Sequence, residues 1–133
     1  EFRKVVYDTL NDIVKNGITT LILDTSAACH MPDVLEMPFR PPLLHSGQAG
    51  EKEFTYRLSS HTCLAGDIIG DYSFDCEISI GDRLCFLNTA IYSMVKNNTF
   101  NGIQLPGIAA ISEDGDYRLI KSFDYHDFKN RLS

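Results

Sequence analysis

The sequence has no tryptophan, no CxxC pair, no HxxxH pair and no long apolar run. A membrane-spanning helix needs about 20 consecutive apolar residues, and stretches such as Thr20-Leu21-Ile22-Leu23 fall far short of that. Structural zinc sites gather their ligands from tight Cys or His pairs. Here a site would require the loops carrying Cys29-His30 and His61-Thr62-Cys63 to converge, and no metal is expected. Four cysteines (Cys29, Cys63, Cys76 and Cys85) at irregular spacings do not form a disulfide framework in a chain with a full complement of apolar residues. They are read as thiols. Positive charge is also short, with 12 Lys and Arg against 18 Asp and Glu and a net charge of −6. Without a basic surface to neutralise phosphates, neither nucleic acid nor an anionic membrane is an expected partner. The amino terminus shows neither a charged leader nor a cleavage pattern, so a cytoplasmic location is expected.

What is present is an ordinary core's worth of side chains: 44% hydrophobic residues in 133, enough for one domain spanning residues 1–133. Val5 to Lys15 and Ile18 to Asp24 are β-rich runs flanking Asn16-Gly17, a dipeptide that closes tight hairpins. Met31 to Met37 suits one helical turn, and Pro38, Pro41 and Pro42 then force an extended exit. Leu44 to Glu51, with Gly47 and Gly50, reads as a flexible connection. Phe54 to Ser59 alternates as a half-buried strand does, and further strands are predicted over Tyr72 to Ile78, Asp82 to Phe86 and Gly107 to Ser112. The last pairs through Asp114-Gly115 with Tyr117 to Phe123, and Asp124 to Leu132 reads as a helix capped by Asp124. Short strands between Gly, Asn and Asp turns predict a mainly β domain, a Greek-key-type barrel or sandwich with a short C-terminal helix.

Two segments concentrate reactive side chains. His61-Thr62-Cys63-Leu64-Ala65-Gly66-Asp67 sets a thiol and a carboxylate four residues apart around a glycine. Its plain reading is a turn with a half-buried cysteine, since free cysteine packs as a small hydrophobe. Ala90-Ile91-Tyr92-Ser93-Met94 precedes the polar loop Asn97-Asn98-Thr99-Phe100-Asn101-Gly102, and its plain reading is a barrel strand with a core tyrosine.

Taken together, Cys63 and Asp67 in Thr62-Cys63-Leu64-Ala65-Gly66-Asp67, then Tyr92, then Thr99-Phe100-Asn101-Gly102, resemble the carboxy-terminal domain of the fold-type III pyridoxal-phosphate-dependent basic amino-acid decarboxylases. Leu23 to Asp33 and Tyr92-Ser93-Met94-Val95-Lys96 are similar to its carboxynorspermidine/carboxyspermidine branch. The resemblance runs from about Val6 to the end of the chain.

The resemblance implies a parent enzyme in which an α/β barrel, not represented here, binds pyridoxal 5′-phosphate on a lysine and two subunits complete each other's active sites. The cofactor supplies the electron sink for loss of CO2. Cys63 then matches the cysteine that enters the partner's site and protonates the substrate carbon. A thiol suits that role because its free pKa, about 8.5, lies within reach of neutral pH. Tyr92 matches a donor to the cofactor phosphate, Asp67 an acidic residue at the subunit junction that pairs with a barrel lysine, and Phe100 an aromatic lining the shared site.

Leu64 follows the cysteine where the ornithine branch carries an aspartate for the substrate's distal amine. The longer polyamine carboxylates therefore need carboxylates elsewhere, and the loop His30-Met31-Pro32-Asp33-Val34-Leu35-Glu36 offers Asp33 first and Glu36 second. His30 orients one of them or closes the loop. The plain reading of both acids is a solvated loop.

No Schiff-base lysine setting, glycine-rich phosphate loop or Glu-Pro-Gly segment occurs, so this chain alone is expected to be inactive, as a segment of a longer enzyme. The competing readings are a free-standing β interaction or dimerisation module with an inert Cys63, and a related decarboxylase acting on diaminopimelate or arginine.

Overall fold

The computed structural model describes residues 2–6 and 17–132. Its elements are β1 (Phe2–Val6), β2 (Thr19–Leu23), the one-turn helices α1 (Ala27–His30) and α2 (Asp33–Glu36), β3 (Gly47–Gln48), β4 (Phe54–Ser59) and β5 (Ile68–Phe74). There follow β6 (Arg83–Leu84), α3 (Ala90–Lys96), a 3-10 turn (Phe100–Gly102), β7 (Ile108–Ile111), β8 (Tyr117–Lys121) and α4 (Tyr125–Leu132).

Six strands form one sheet in the order β3-β5-β4-β2-β1-β6, and β7-β8 is a separate ribbon. Beyond the two edge strands an antiparallel bridge joins Leu43 to Phe86. Leu44 N–H donates to Cys85 O (3.0 Å) and Leu87 N–H to Pro42 O (2.7 Å). The sheet thus curls toward closure. Leu21, Leu23, Leu58, Ile69, Tyr72, Phe74, Leu84 and Phe86 fill its interior, with Met31 and Leu43 closing one end. The mainly β architecture with a C-terminal helix agrees with the expectation from sequence, in the form of a curled mixed sheet plus a ribbon.

β2 and β4 pair in parallel, Leu21 opposite Leu58. A parallel pair demands a crossover, and the segment between them supplies it with α1, α2 and the proline-bounded stretch.

Several predicted elements shift. β1 and β2 are antiparallel neighbours as expected, but Val6 pairs with Leu21. A two-residue turn at Asn16-Gly17 would bring Val6 opposite Ala27, so the register is not that of a tight hairpin. The rest of the predicted strand, residues 7–15, lies outside the described residues, whereas Gly17 has the positive φ (67°) expected of a turn. The strand expected over Tyr72 to Ile78 begins earlier, at Ile68, and stops at Phe74. Leu58 pairs with Gly70 and Ser59 with Ile68, so the register slips by one residue at Ile69. Such a bulge lets a strand bend around a barrel corner. Gly70 beside it has φ 152°, and a Cβ there would come within 3.3 Å of the Tyr72 ring.

That ring belongs to the core cluster. Tyr72 is fully buried, and its hydroxyl donates to Pro41 O (2.7 Å). The Arg40 guanidinium lies 3.6 Å above the ring and reaches across the sheet edge to Asp71 O and Gly47 O. Burial pushes the phenol up to about 12, against the opposing charge of Arg40. Tyr72→Phe leaves the Pro41 carbonyl without this donor and is expected to cost about 1–2 kcal/mol, readable as a lowered urea midpoint at unchanged slope.

The β7-β8 ribbon closes through a three-residue loop: Gly115 N–H donates to Ser112 O and Ser112 N–H to Asp116 O, each at 3.0 Å. Gly115 takes the left-handed position (φ 89°) that such a loop needs. α4 starts as expected. Asp124 Oδ1 accepts from His126 N–H (2.7 Å), and the Asp127 carboxylate accepts from Asp124 N–H (2.8 Å), a reciprocal capping box.

Candidate active site

Ser26 caps α1. Its Oγ accepts from Cys29 N–H (3.0 Å) and donates to Asp67 Oδ2 (2.7 Å), 41 residues along the chain. Asp67 also accepts from Ala28 N–H (3.0 Å) and from the Thr62 hydroxyl (2.5 Å). One carboxylate therefore ties the start of the crossover to the loop carrying Cys63. Asp67 is 1% exposed. Burial alone would raise its pKa, but the bonds from Thr62, Ser26 and Ala28 outweigh burial and hold it below the ordinary carboxylate value. Within this chain the carboxylate is already engaged by three donors. It supports the thiol loop from inside the domain.

Cys63 follows Thr62 and is exposed, not half-buried. Its N–H donates to Asn101 Oδ1 (3.0 Å), and Asn101 holds a left-handed conformation (φ 59°) inside the 3-10 turn. Phe100, next to Asn101, is 45% exposed and lines a shallow depression with Asn98, Thr99, Phe128 and Arg131. The two segments singled out in the sequence, around Cys63 and around Phe100, thus meet directly.

Cys29 has the opposite character. It is buried, its thiol donates to Phe100 O (3.5 Å), and burial is the main cause of its raised pKa. Asn98 completes the seam, its N–H donating to Cys29 O (3.0 Å) and its side-chain amide to Ala28 O (2.8 Å). Among the described residues no cluster of three or more His, Cys, Asp or Glu could hold a metal ion.

His30 is buried with both ring nitrogens engaged. Ser26 N–H donates to Nδ1 (3.2 Å), and Nε2 lies 3.0 Å from Gln104 O. A carbonyl can only accept, so Nε2 carries the proton and Nδ1 also accepts from the Thr25 hydroxyl at 2.9 Å. Burial lowers the imidazole pKa and favours this neutral form. Of the two roles anticipated for His30, these contacts fit closing the loop.

Tyr92 sits on α3, so the segment expected as a strand with a core tyrosine is a helix, and Tyr92 is 65% exposed. α3 faces α2 across a cleft of about 390 Å³ lined by Asp33, Met37, Phe39, Asn88, Thr89 and Tyr92, among others. Asp33 and Tyr92 therefore share one cavity. His30 lines an adjoining depression on the other side of Thr89, Ala90 and Ser93. Cys63 lines neither.

Reading the sequence missed Lys96. One turn beyond Tyr92 on α3, its ammonium bonds both Asp33 Oδ1 and Glu36 Oε2, the latter at 2.6 Å. These bonds raise the lysine pKa. The available signal was the i, i+3 spacing of the two acids on a single turn, which puts both carboxylates on one face. Asn101 and Ser26 were missed too, although an Asn-Gly pair and a Ser before Ala27-Ala28 are turn and cap signals.

The curled sheet thus carries an exposed thiol loop and a separate, largely apolar cleft with one carboxylate, Asp33, in its lining. Residues 3–90 match the family described as pyridoxal-dependent decarboxylase, C-terminal sheet domain, and the chain belongs to this family. It is 42% identical to a carboxyaminopropylagmatine decarboxylase of Synechocystis over 93% of this chain and 32% of that protein. It is 39% identical to a carboxynorspermidine/carboxyspermidine decarboxylase of Campylobacter jejuni over 90% of this chain and 34% of that protein. The crystal structure of C. jejuni carboxynorspermidine decarboxylase complexed with norspermidine superposes with a TM-score of 0.85 at 36% identity, covering 98% of this chain and 37% of that one. The chain thus spans about a third of the length of these relatives. Diaminopimelate decarboxylase from M. jannaschii shares the fold alone, with a TM-score of 0.71 at 16% identity. Among the described residues no helix is long and apolar enough to cross a membrane.

Proposed function

We propose that this chain is the carboxy-terminal domain of a cytoplasmic, homodimeric decarboxylase acting on carboxynorspermidine or carboxyspermidine, and that the α2/α3 cleft receives the distal cationic part of the substrate. The observation that carries this reading is the cleft itself, which sets Asp33 beside Tyr92. The side chains present fit a cofactor held mainly elsewhere. Tyr92 projects from the domain, with Ser93, Thr89 and Asn88 beside it, and a phenol with hydroxyl and amide neighbours is a donor set for a phosphate. Pyridoxal 5′-phosphate, bound there and on a lysine of the barrel, would supply the electron sink for loss of CO2. This domain's own tasks are then to anchor the phosphate through Tyr92, to neutralise the substrate's amines through Asp33 and Glu36, and to deliver a proton from Cys63 to the site of the neighbouring subunit. Asp67 and His30 hold those groups in place, and Phe100 lines the approach to Cys63.

A second reading concerns the far end of the substrate. The Synechocystis relative's name specifies carboxyaminopropylagmatine, whose agmatine part ends in a guanidinium. Two carboxylates on one turn suit that planar fork as well as an ammonium. The competing view of a free-standing β module is disfavoured by the match to a domain of much longer enzymes.

Asp33→Asn in the full-length enzyme tests the reading. Losing a charge-assisted hydrogen bond to an ammonium is expected to raise KM for carboxynorspermidine roughly tenfold or more with kcat nearly unchanged. An unchanged KM would remove Asp33 from substrate binding.

A further inference from the structure

Within this domain the carboxylates assigned to the substrate already have a counter-ion. Asp33 and Glu36 share the ammonium of Lys96, which spans from α3 to α2. Asp33 has little access to water, with a side chain 13% exposed, whereas the Lys96 and Glu36 side chains are 37% and 57% exposed. A carboxylate so enclosed needs a counter-ion beside it. An exposed lysine on a four-carbon stem provides one and can also leave, because its ammonium is well solvated away from the acids. It has somewhere to go. Tyr92 lies one helical turn earlier on the same helix, and the Lys96 Nζ is 6.0 Å from its ring centroid, at the outer limit for attraction between a cation and an aromatic face.

Decarboxylation alters only the carboxyl-bearing end of a polyamine carboxylate. Substrate and product carry the same distal cation, so an interaction with that cation holds both equally. Such uniform binding lowers KM without speeding chemistry, and it retards departure of the product. Resting on the functional reading above, we infer that Lys96 is a resident counter-ion that the substrate's distal cation displaces from Asp33 and Glu36, and that it returns as the product leaves. It sets the affinity of the cleft for aliphatic polycations. The exchange is cation for cation, so Asp33 is never left without a partner.

The experiment is equilibrium binding of norspermidine to the full-length, cofactor-loaded enzyme, with KM and kcat measured alongside, for wild type, Lys96→Met, Lys96→Arg and Asp33→Asn. Removing the competitor in K96M is expected to tighten norspermidine binding by about twofold to fivefold, the upper range of an exposed ion pair, and to lower KM in step without raising kcat. K96R keeps the competing charge and is expected to stay close to wild type, which separates displacement from a general effect on folding. Unchanged or weaker norspermidine binding by K96M would overturn the inference and make Lys96 a positioning residue for Asp33. If D33N weakens binding while K96M does not tighten it, the inference alone fails. If D33N has no effect, the functional reading itself fails.

Discussion

Cys63→Ala in the full-length enzyme is expected to lower CO2 release from carboxynorspermidine by roughly 10²- to 10⁴-fold, the usual range for removing a positioned proton donor, with pyridoxal phosphate still bound. The local structure supports this separation of chemistry from cofactor binding. Cys63 is exposed, and its backbone is fixed by Asn101 on one side and, through Thr62, by Asp67 on the other. Alanine preserves those anchors, because each is made by the main chain or by a neighbouring residue. Cys29 provides the internal control. Its thiol donates to Phe100 O, so Cys29→Ser keeps a donor there and is expected to leave turnover within a few-fold of wild type. A C63A enzyme with full turnover would mean that the exposed thiol has no part in the reaction.

Asp67→Ala is expected to destabilise the domain by about 2–4 kcal/mol, since it leaves the Ala28 N–H and the Ser26 and Thr62 hydroxyls short of an acceptor in a buried setting. Asn is no remedy, because its NH2 would face groups that already donate. The pH dependence has a definite sign. Asp67 is held below its unfolded value, so its stabilisation is fully present above the unfolded pKa, about 3.9, and is lost as pH falls through the folded value. Urea midpoints of wild type and D67A measured between pH 7 and pH 3 should converge toward the acid end. Curves that stay parallel over that range would show that the carboxylate's charge is not what holds the two loops together.

Lines of the fold with a local cause were legible in the sequence. Phe54–Ser59 forms β4 as its alternation indicated, and the Asp124 cap and the Gly115 loop start α4 and close the β7-β8 ribbon where their chemistry requires. Tertiary context prevailed elsewhere. Ala90–Lys96 carries β-branched and aromatic residues that favour a strand, yet it is a helix, tied to α2 through Lys96 and to α1 through Asn98. The strand expected over Tyr72 to Ile78 is β5, Ile68–Phe74, which runs through a bulge beside Gly70. The site divides in the same way. The family resemblance carried by the spaced motifs singled out Cys63, Tyr92, Asp33 and Phe100, where residue types alone favoured packing or solvated roles. The contacts that assemble them, Ser26 to Asp67 and Asn98 to Ala28, span 41 and 70 residues and leave no periodic trace in a single sequence.

The most direct measurement is CO2 release by the full-length enzyme, supplied with pyridoxal phosphate, from carboxynorspermidine, carboxyspermidine, carboxyaminopropylagmatine, diaminopimelate and arginine in parallel. The expected result is turnover confined to the polyamine carboxylates. One methylene separates carboxynorspermidine from carboxyspermidine, and their kcat/KM values should differ by no more than roughly 10- to 200-fold. Preferred turnover of diaminopimelate or arginine, or none with any polyamine carboxylate, would contradict the assignment of the α2/α3 cleft.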